Sequence, residues 1–248
     1  DAYELLPLIG WMITKPSLEV DQIEIEKDLT IKAIKRQKES IYQQAFDGWR
    51  RMIYGEGPYG HDPLGLIDDI YGIKRDHIFS IENSLITRNK ILVIAGNFPT
   101  NIDNYIKNSI AFKEMNKIIL DNKITNNNIN ESRILASQTS TICQRSLNTQ
   151  QVILLLGKAT IKYNNEADIL LRLISCYLGY GMSSLLFKVL REKYGVVYEA
   201  GVYHPIRENQ TPFITHASTT QEKAILTLKL LKDCWENVIN SDIKLEEL

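Results

Sequence analysis

The chain has 248 residues, 44% of them hydrophobic, and balances 29 basic against 30 acidic side chains for a formal net charge of −1. That balance leaves no electrostatic footprint for nucleic acid, and no apolar run reaches the roughly 18 residues of a membrane span. Cys143, Cys176 and Cys234 are odd in number, widely spaced and without a CxxC pair, which argues against a disulfide framework.

The length suits one large or two small domains. The chain opens at Asp1 in an amphipathic pattern and closes on Lys244-Leu-Glu-Glu-Leu248, so both ends read as cut from a longer protein. Residues 3–14 alternate at helical spacing until Lys15-Pro16 ends the helix. A long, largely solvated helix follows over 20–39, with a narrow stripe of Ile23, Ile31 and Ile34, then another over 41–53. The loop from Gly55 to Gly65 (GEGPYGHDPLG) breaks the pattern. Short helices are expected at 67–71 and 75–84. The continuous apolar run Ile91-Leu-Val-Ile-Ala95 predicts a strand buried on both faces, and a further helix should reach Phe112. Residues 115–133, rich in Asn, Lys and Ile, read as a linker.

Beyond it, strands are expected at 138–145, 151–158, 196–204 and 213–218, with helices at 166–178, 183–193 and 221–239. Strands mixed with long helices in two successive units indicate an α+β architecture of two layered domains. The most informative stretch runs from Leu178 to Tyr198, LGYGMSSLLFKVLREKYGVVY. It sets Arg191 in the last turn of a helix and Tyr198 on the strand that follows, with the break supplied by Tyr194-Gly195. A guanidinium and a phenol can thereby be aimed at one point. The plainer alternatives are an arginine answering the negative end of its own helix, and a half-buried tyrosine.

This stretch, with its Leu-Gly turn, paired serines and helix ending Leu-Arg-Glu, resembles the second domain of M16 metallopeptidases, the insulinase and pitrilysin group that includes mitochondrial processing peptidase. Residues 16–27, the Gly57–Gly65 loop, 91–97 and 150–157 resemble other segments of that family in the same order, so the likeness covers nearly the whole chain. It implies two α/β sandwich repeats, each an antiparallel sheet covered by helices and each incomplete here. The first would occupy 1–114 and the second 134–248.

Members of the family bind zinc through His-x-x-Glu-His on a helix of the first domain, where the glutamate serves as general base. The chain has no such motif; His61, His77, His204 and His216 are isolated, and the family's motif lies upstream of where these residues begin. The resemblance places the third zinc ligand, a glutamate, seven positions after the acidic residue matched by Glu26. Ala33 stands there, between Lys32 and Lys35. Glu24 would need a register shift to substitute, and Glu39 lies nearly two turns away, so this helix is expected not to ligate. Glu26 remains as a relic of an acid near the metal.

Arg191 and Tyr198 match a pair that, in the family, contacts substrate across the cleft from zinc. The resemblance therefore implies a non-catalytic subunit: no cofactor of its own, Zn2+ in an M16 catalytic partner, and an unstructured peptide as substrate. The assembly would be a heterodimer or a homo-oligomer. Two alternatives stand beside it. One is an active zinc endopeptidase with its motif upstream, and the other is a structural subunit like the core proteins of a respiratory complex. Gly179, Gly181 and Gly195 are read as backbone devices, and Trp11, Trp49 and Trp235 as core or interface anchors.

Overall fold

The computed structural model describes residues 2–55, 57, 59–87, 91–110, 112–113, 142–162 and 166–240. They fall into two compact units, Asp1–Ala33 with Gly65–Asn130, and Ile34–Leu64 with Glu131–Leu248. The expected 115–133 linker and residues 138–141 of an expected strand lie outside the described residues.

The described part of the first unit is helical. It holds α1 (Ala2–Thr14), most of α2 (Val20–Glu39), α4 (Ile67–Gly72), α5 (Arg75–Thr87) and α6 (Ile102–Asn108). Leu6, Ile102 and Phe112 form its small core. The run at 91–95 corrects the sequence expectation, because it is irregular chain and not a strand. Ile91 is 91% exposed and Val93 80%, while Ile94 alone packs against that core. A strand is held by its ladder, and no described segment pairs with this one. Apolar composition without a partner did not suffice.

The second unit carries the sheet, with α3 (Ile41–Tyr54) on one face. Its three strands are β1 (Gln151–Ala159), β2 (Glu199–Tyr203) and β3 (Pro212–Thr220), antiparallel in the order β1-β3-β2. Residues 142–147, the described end of another expected strand, are irregular. The run Val152-Ile-Leu-Leu-Leu156 supplies both faces of β1 by simple alternation. Leu155 faces Trp49, Ile53 and Tyr54 of α3, while Leu154 and Leu156 face the opposite core. That opposite core is covered by α8 (Ala224–Asn240) and by a π-helical segment (Phe187–Lys193). Leu186, Leu190 and Leu231 are fully buried there. Each such leucine contributes about 1.5–3 kcal/mol by leaving water.

Gly157 lets β1 approach β3, since a Cβ there would meet the Phe213 carbonyl oxygen at 2.1 Å. Gly179 closes α7 (Glu166–Gly179) onto β2, where a Cβ would come within 2.5 Å of the Val202 nitrogen. Tyr54 and Tyr59 fasten the end of α3 and the chain after it within this same unit. Tyr59 accepts a hydrogen bond from the Asn209 N–H at 3.1 Å, Arg207 lies 4.8 Å over its ring, and the Tyr54 hydroxyl donates to the Gln210 carbonyl at 3.1 Å. Trp49 is core, and Trp235 donates to Thr215 Oγ1 at 2.9 Å. No helix among the described residues is long and apolar enough to cross a membrane. Cys143 and Cys176 are exposed free thiols, and burial pushes the Cys234 thiol up to about 11.

Candidate functional site

The turn between the π-helical segment and β2 begins with Ser184, whose hydroxyl donates to Gly181 O at 2.8 Å and accepts from the Phe187 N–H at 3.4 Å. Helical winding then opens by one residue, so that the Tyr194 N–H reaches Val189 O at 3.1 Å. Gly195 adopts φ +57°, the left-handed conformation that a side chain resists, and the Val196 N–H returns to Leu190 O at 2.9 Å. Val196 and Val197 are then buried, which anchors the chain before β2 starts. Tyr198 comes just before β2, and its N–H donates to Ser218 O of β3 at 2.9 Å.

These bonds bring Arg191 and Tyr198 together. Arg191 Nη1 donates to the Tyr198 carbonyl at 2.9 Å, and the guanidinium carbon lies 5.4 Å from the Phe187 ring centre. The guanidinium is thus held by a carbonyl and an aromatic face, with its other N–H groups left to the exterior. Tyr198 is 64% exposed, and its hydroxyl bonds to no described residue. The expectation of a half-buried tyrosine is not met. Chemically, the pair can offer a fork of donors and one phenolic O–H to a carbonyl or an oxyanion.

Gly195→Ala tests the turn alone, because nothing lies within 4 Å of the added methyl. The cost is conformational, and unfolding in urea should show a loss of about 1 kcal/mol. An unchanged midpoint would mean that the left-handed turn is not needed.

The other predicted site residues lie in α2. Ala33 and Glu26 are both exposed. Glu24 is paired with Lys27 at 2.9 Å. Ala33 carries no donor atom, and among the described residues no three His, Cys, Asp or Glu side chains converge as metal ligands. The described residues around Ala33 in α2 do not make a zinc-ligand set. His61 is exposed, and His77 Nδ1 accepts from the Lys74 N–H at 3.2 Å.

Two groupings bring together residues that the sequence reading did not connect. In the first, Asp168 of α7 is 2% exposed and accepts from Arg172 Nε at 2.7 Å, while His204 Nε2 lies 3.4 Å from its other oxygen. In the second, Tyr42 of α3 meets His216 of β3 edge-on, with ring centres 5.3 Å apart, beside Glu199. Burial lowers the His216 pKa, and Glu199 partly offsets it. Burial and then Glu199 raise that of Tyr42. In the first grouping His204 joins an i,i+4 pair from 36 residues on, and in the second strand register brings Glu199 and His216 together.

Comparison with known proteins converges on one family. A profile described as the peptidase M16 inactive domain matches residues 88–248. An uncharacterized zinc protease of Rickettsia felis is 24% identical over 229 residues, 92% of this chain and 53% of its own length. The chain therefore spans about half the length of the curated relatives it matches. A protease from Helicobacter pylori shares the fold with a TM-score of 0.76 at 17% identity, over 99% of this chain and 59% of its own. A peptidase M16 inactive domain from Pseudomonas fluorescens does so with 0.73 at 16% identity, over 98% and 57%.

Proposed function

Because the chain belongs to the M16 peptidase family, we propose that it is a non-catalytic, substrate-holding part of a peptidase, presenting Arg191 and Tyr198 to a peptide in the cleft of a zinc-bearing partner. One observation carries this reading. Arg191 is tied to the Tyr198 carbonyl at 2.9 Å while both side chains remain exposed, an arrangement suited to donating outward. A packing role would bury the phenol.

Two further features support it. Ala33, with Lys32 and Lys35 beside it, supplies no ligand and a field that opposes a cation. β2, which follows Tyr198 directly, is an edge of the described sheet and can take an extended peptide by strand addition. In this proposal the chain holds two incomplete sandwich repeats, over 1–114 and 134–248, and the partner is an M16 catalytic subunit or a second copy of the chain. The name of the Rickettsia relative favours a second reading, a zinc endopeptidase whose metal motif lies outside these residues. Ala33 opposes it.

The two readings part on metal content. The chain alone is expected to bind far less than one equivalent of zinc and to cleave no peptide, with cleavage appearing when a zinc-bearing M16 subunit is added. One tightly held equivalent, measured by atomic absorption after dialysis, together with cleavage by the chain alone, would overturn the proposal.

A further inference from the structure

The face of the sheet that α3 covers holds a second group of polar side chains. Pairing sets Glu199 opposite Ser218 and Gly201 opposite His216, so Glu199, His216 and Ser218 share that face. Tyr42 reaches them from the first turn of α3, and Glu39 from the end of α2. Together they border an open cavity of about 290 Å³. One hydrogen bond lies within the lining, from Gln151 Nε2 to Ser218 Oγ at 2.6 Å. The carboxylates of Glu39 and Glu199, the Tyr42 hydroxyl and the His216 ring bond to no described residue.

The inventory is lopsided. Two carboxylates and a histidine ring kept toward its neutral form are acceptors, and among the described residues no lysine or arginine borders the cavity to answer them. Two uncompensated negative charges beside a partly desolvated ring favour a cation. A bare metal ion is a poor match, because no three ligating side chains converge among the described residues. An alkylammonium is a good one. It brings three donors on a compact charge, and the acceptors reach it from three different elements, α2, β2 and β3, where a planar guanidinium wants a coplanar pair. Its butyl stem would lie against the Tyr42 ring. A lysine side chain occupies on the order of 150 Å³, at about 30 Å³ for each water-sized group, and the cavity has room for it.

We propose that this cavity is a subsite for a lysine side chain of an extended peptide. The inference rests on the peptide-holding role assigned to Arg191 and Tyr198. Glu199 is the residue after Tyr198, and consecutive side chains turn to opposite faces, so a peptide added along β2 would pass the tyrosine with one side chain and the mouth of the cavity with the next.

The test uses the full chain and Nα-acetyl-lysine methylamide, followed through the His216 Cε1 proton by NMR, with the norleucine and arginine amides as controls. The lysine probe should shift that resonance saturably and the norleucine probe should not, with the arginine probe weaker than lysine. Glu199→Gln should weaken the lysine probe about tenfold, the effect of losing one charged hydrogen bond. An equal response to norleucine, tighter binding of arginine, or undiminished lysine binding by Glu199→Gln would overturn the subsite. A lysine-free peptide keeps the two ideas apart. Its binding should fall in Arg191→Ala and not in Glu199→Gln, and that result upholds the peptide-holding role even where the lysine probe fails.

Discussion

In the proposed assembly with a zinc-bearing partner, replacing Arg191 by alanine should lower kcat/KM about 100-fold while leaving zinc content and assembly intact. The magnitude follows from chemistry: removing a preorganised donor from a developing oxyanion costs about 10²- to 10³-fold, and Arg191 is preorganised by two contacts. Its bond to the Tyr198 carbonyl and its place over the Phe187 ring fix the guanidinium before a peptide arrives. Tyr198→Phe removes one hydroxyl and should cost about tenfold. Arg191→Lys should recover little, because an ammonium cannot hold the carbonyl and still present a fork. The loss should appear mainly in kcat if the donors act on the transition state, and mainly in KM if they only hold the peptide. A purely structural subunit predicts no change in either, so unchanged kinetics in all three variants would overturn the peptide-holding role.

The helix-to-strand turn was legible because its signals are local. A glycine after a basic helix end, followed by a β-branched pair, specifies a stop and a restart within a few residues, and Gly195 and Val196 behave that way. Ala33 lacks a donor atom in any fold, while its match to a ligand position rests on the family resemblance alone. The run at 91–95 failed on the opposite ground. Strand formation depends on a neighbour, and Ile91 to Ala95 has the composition without a described partner. The π-helical winding of Phe187–Lys193 was read only as helix, since one extra residue per turn leaves no trace in apolar spacing. Glu199 and His216 meet through strand register, and Tyr42 joins them from more than a hundred residues away. No spacing rule connects those three. Asp168 shows the same limit from within one helix. In α7 it sits in the first turn, where an acidic residue normally faces solvent and answers the helix dipole, yet it is buried.

That burial carries the second large effect. Asp168→Ala should destabilise the folded chain by about 3 kcal/mol, read as a shift in the urea midpoint. The carboxylate lies among groups that cannot turn elsewhere. His204 Nδ1 faces the Pro212 carbonyl at 2.9 Å; a carbonyl only accepts, so Nδ1 carries the proton and the ring is fixed. Its Nε2 then points toward Asp168 at 3.4 Å, a charge contact only where that nitrogen is protonated as well, and makes no hydrogen bond among the described residues. Phe213 crowds the same ring, with centroids 5.2 Å apart, and leaves it no room to swing to water. Removing the carboxylate therefore takes the facing counter-charge from a buried nitrogen that makes no hydrogen bond among the described residues. Arg172 limits the damage, because its side chain is 40% exposed and can return to solvent, which places the expected cost at the lower end for a broken buried pair. Asp168→Asn keeps the volume and one acceptor oxygen and should cost less, about 1–2 kcal/mol. The decisive measurement is a double-mutant cycle with His204→Gln. If the two side chains act as one unit, the double variant should fall short of the sum of the singles by at least about 1 kcal/mol. Strict additivity would mean that Asp168 stabilises α7 through Arg172 alone, and that the α7–β2 contact is held by apolar packing around Gly179 and Val202.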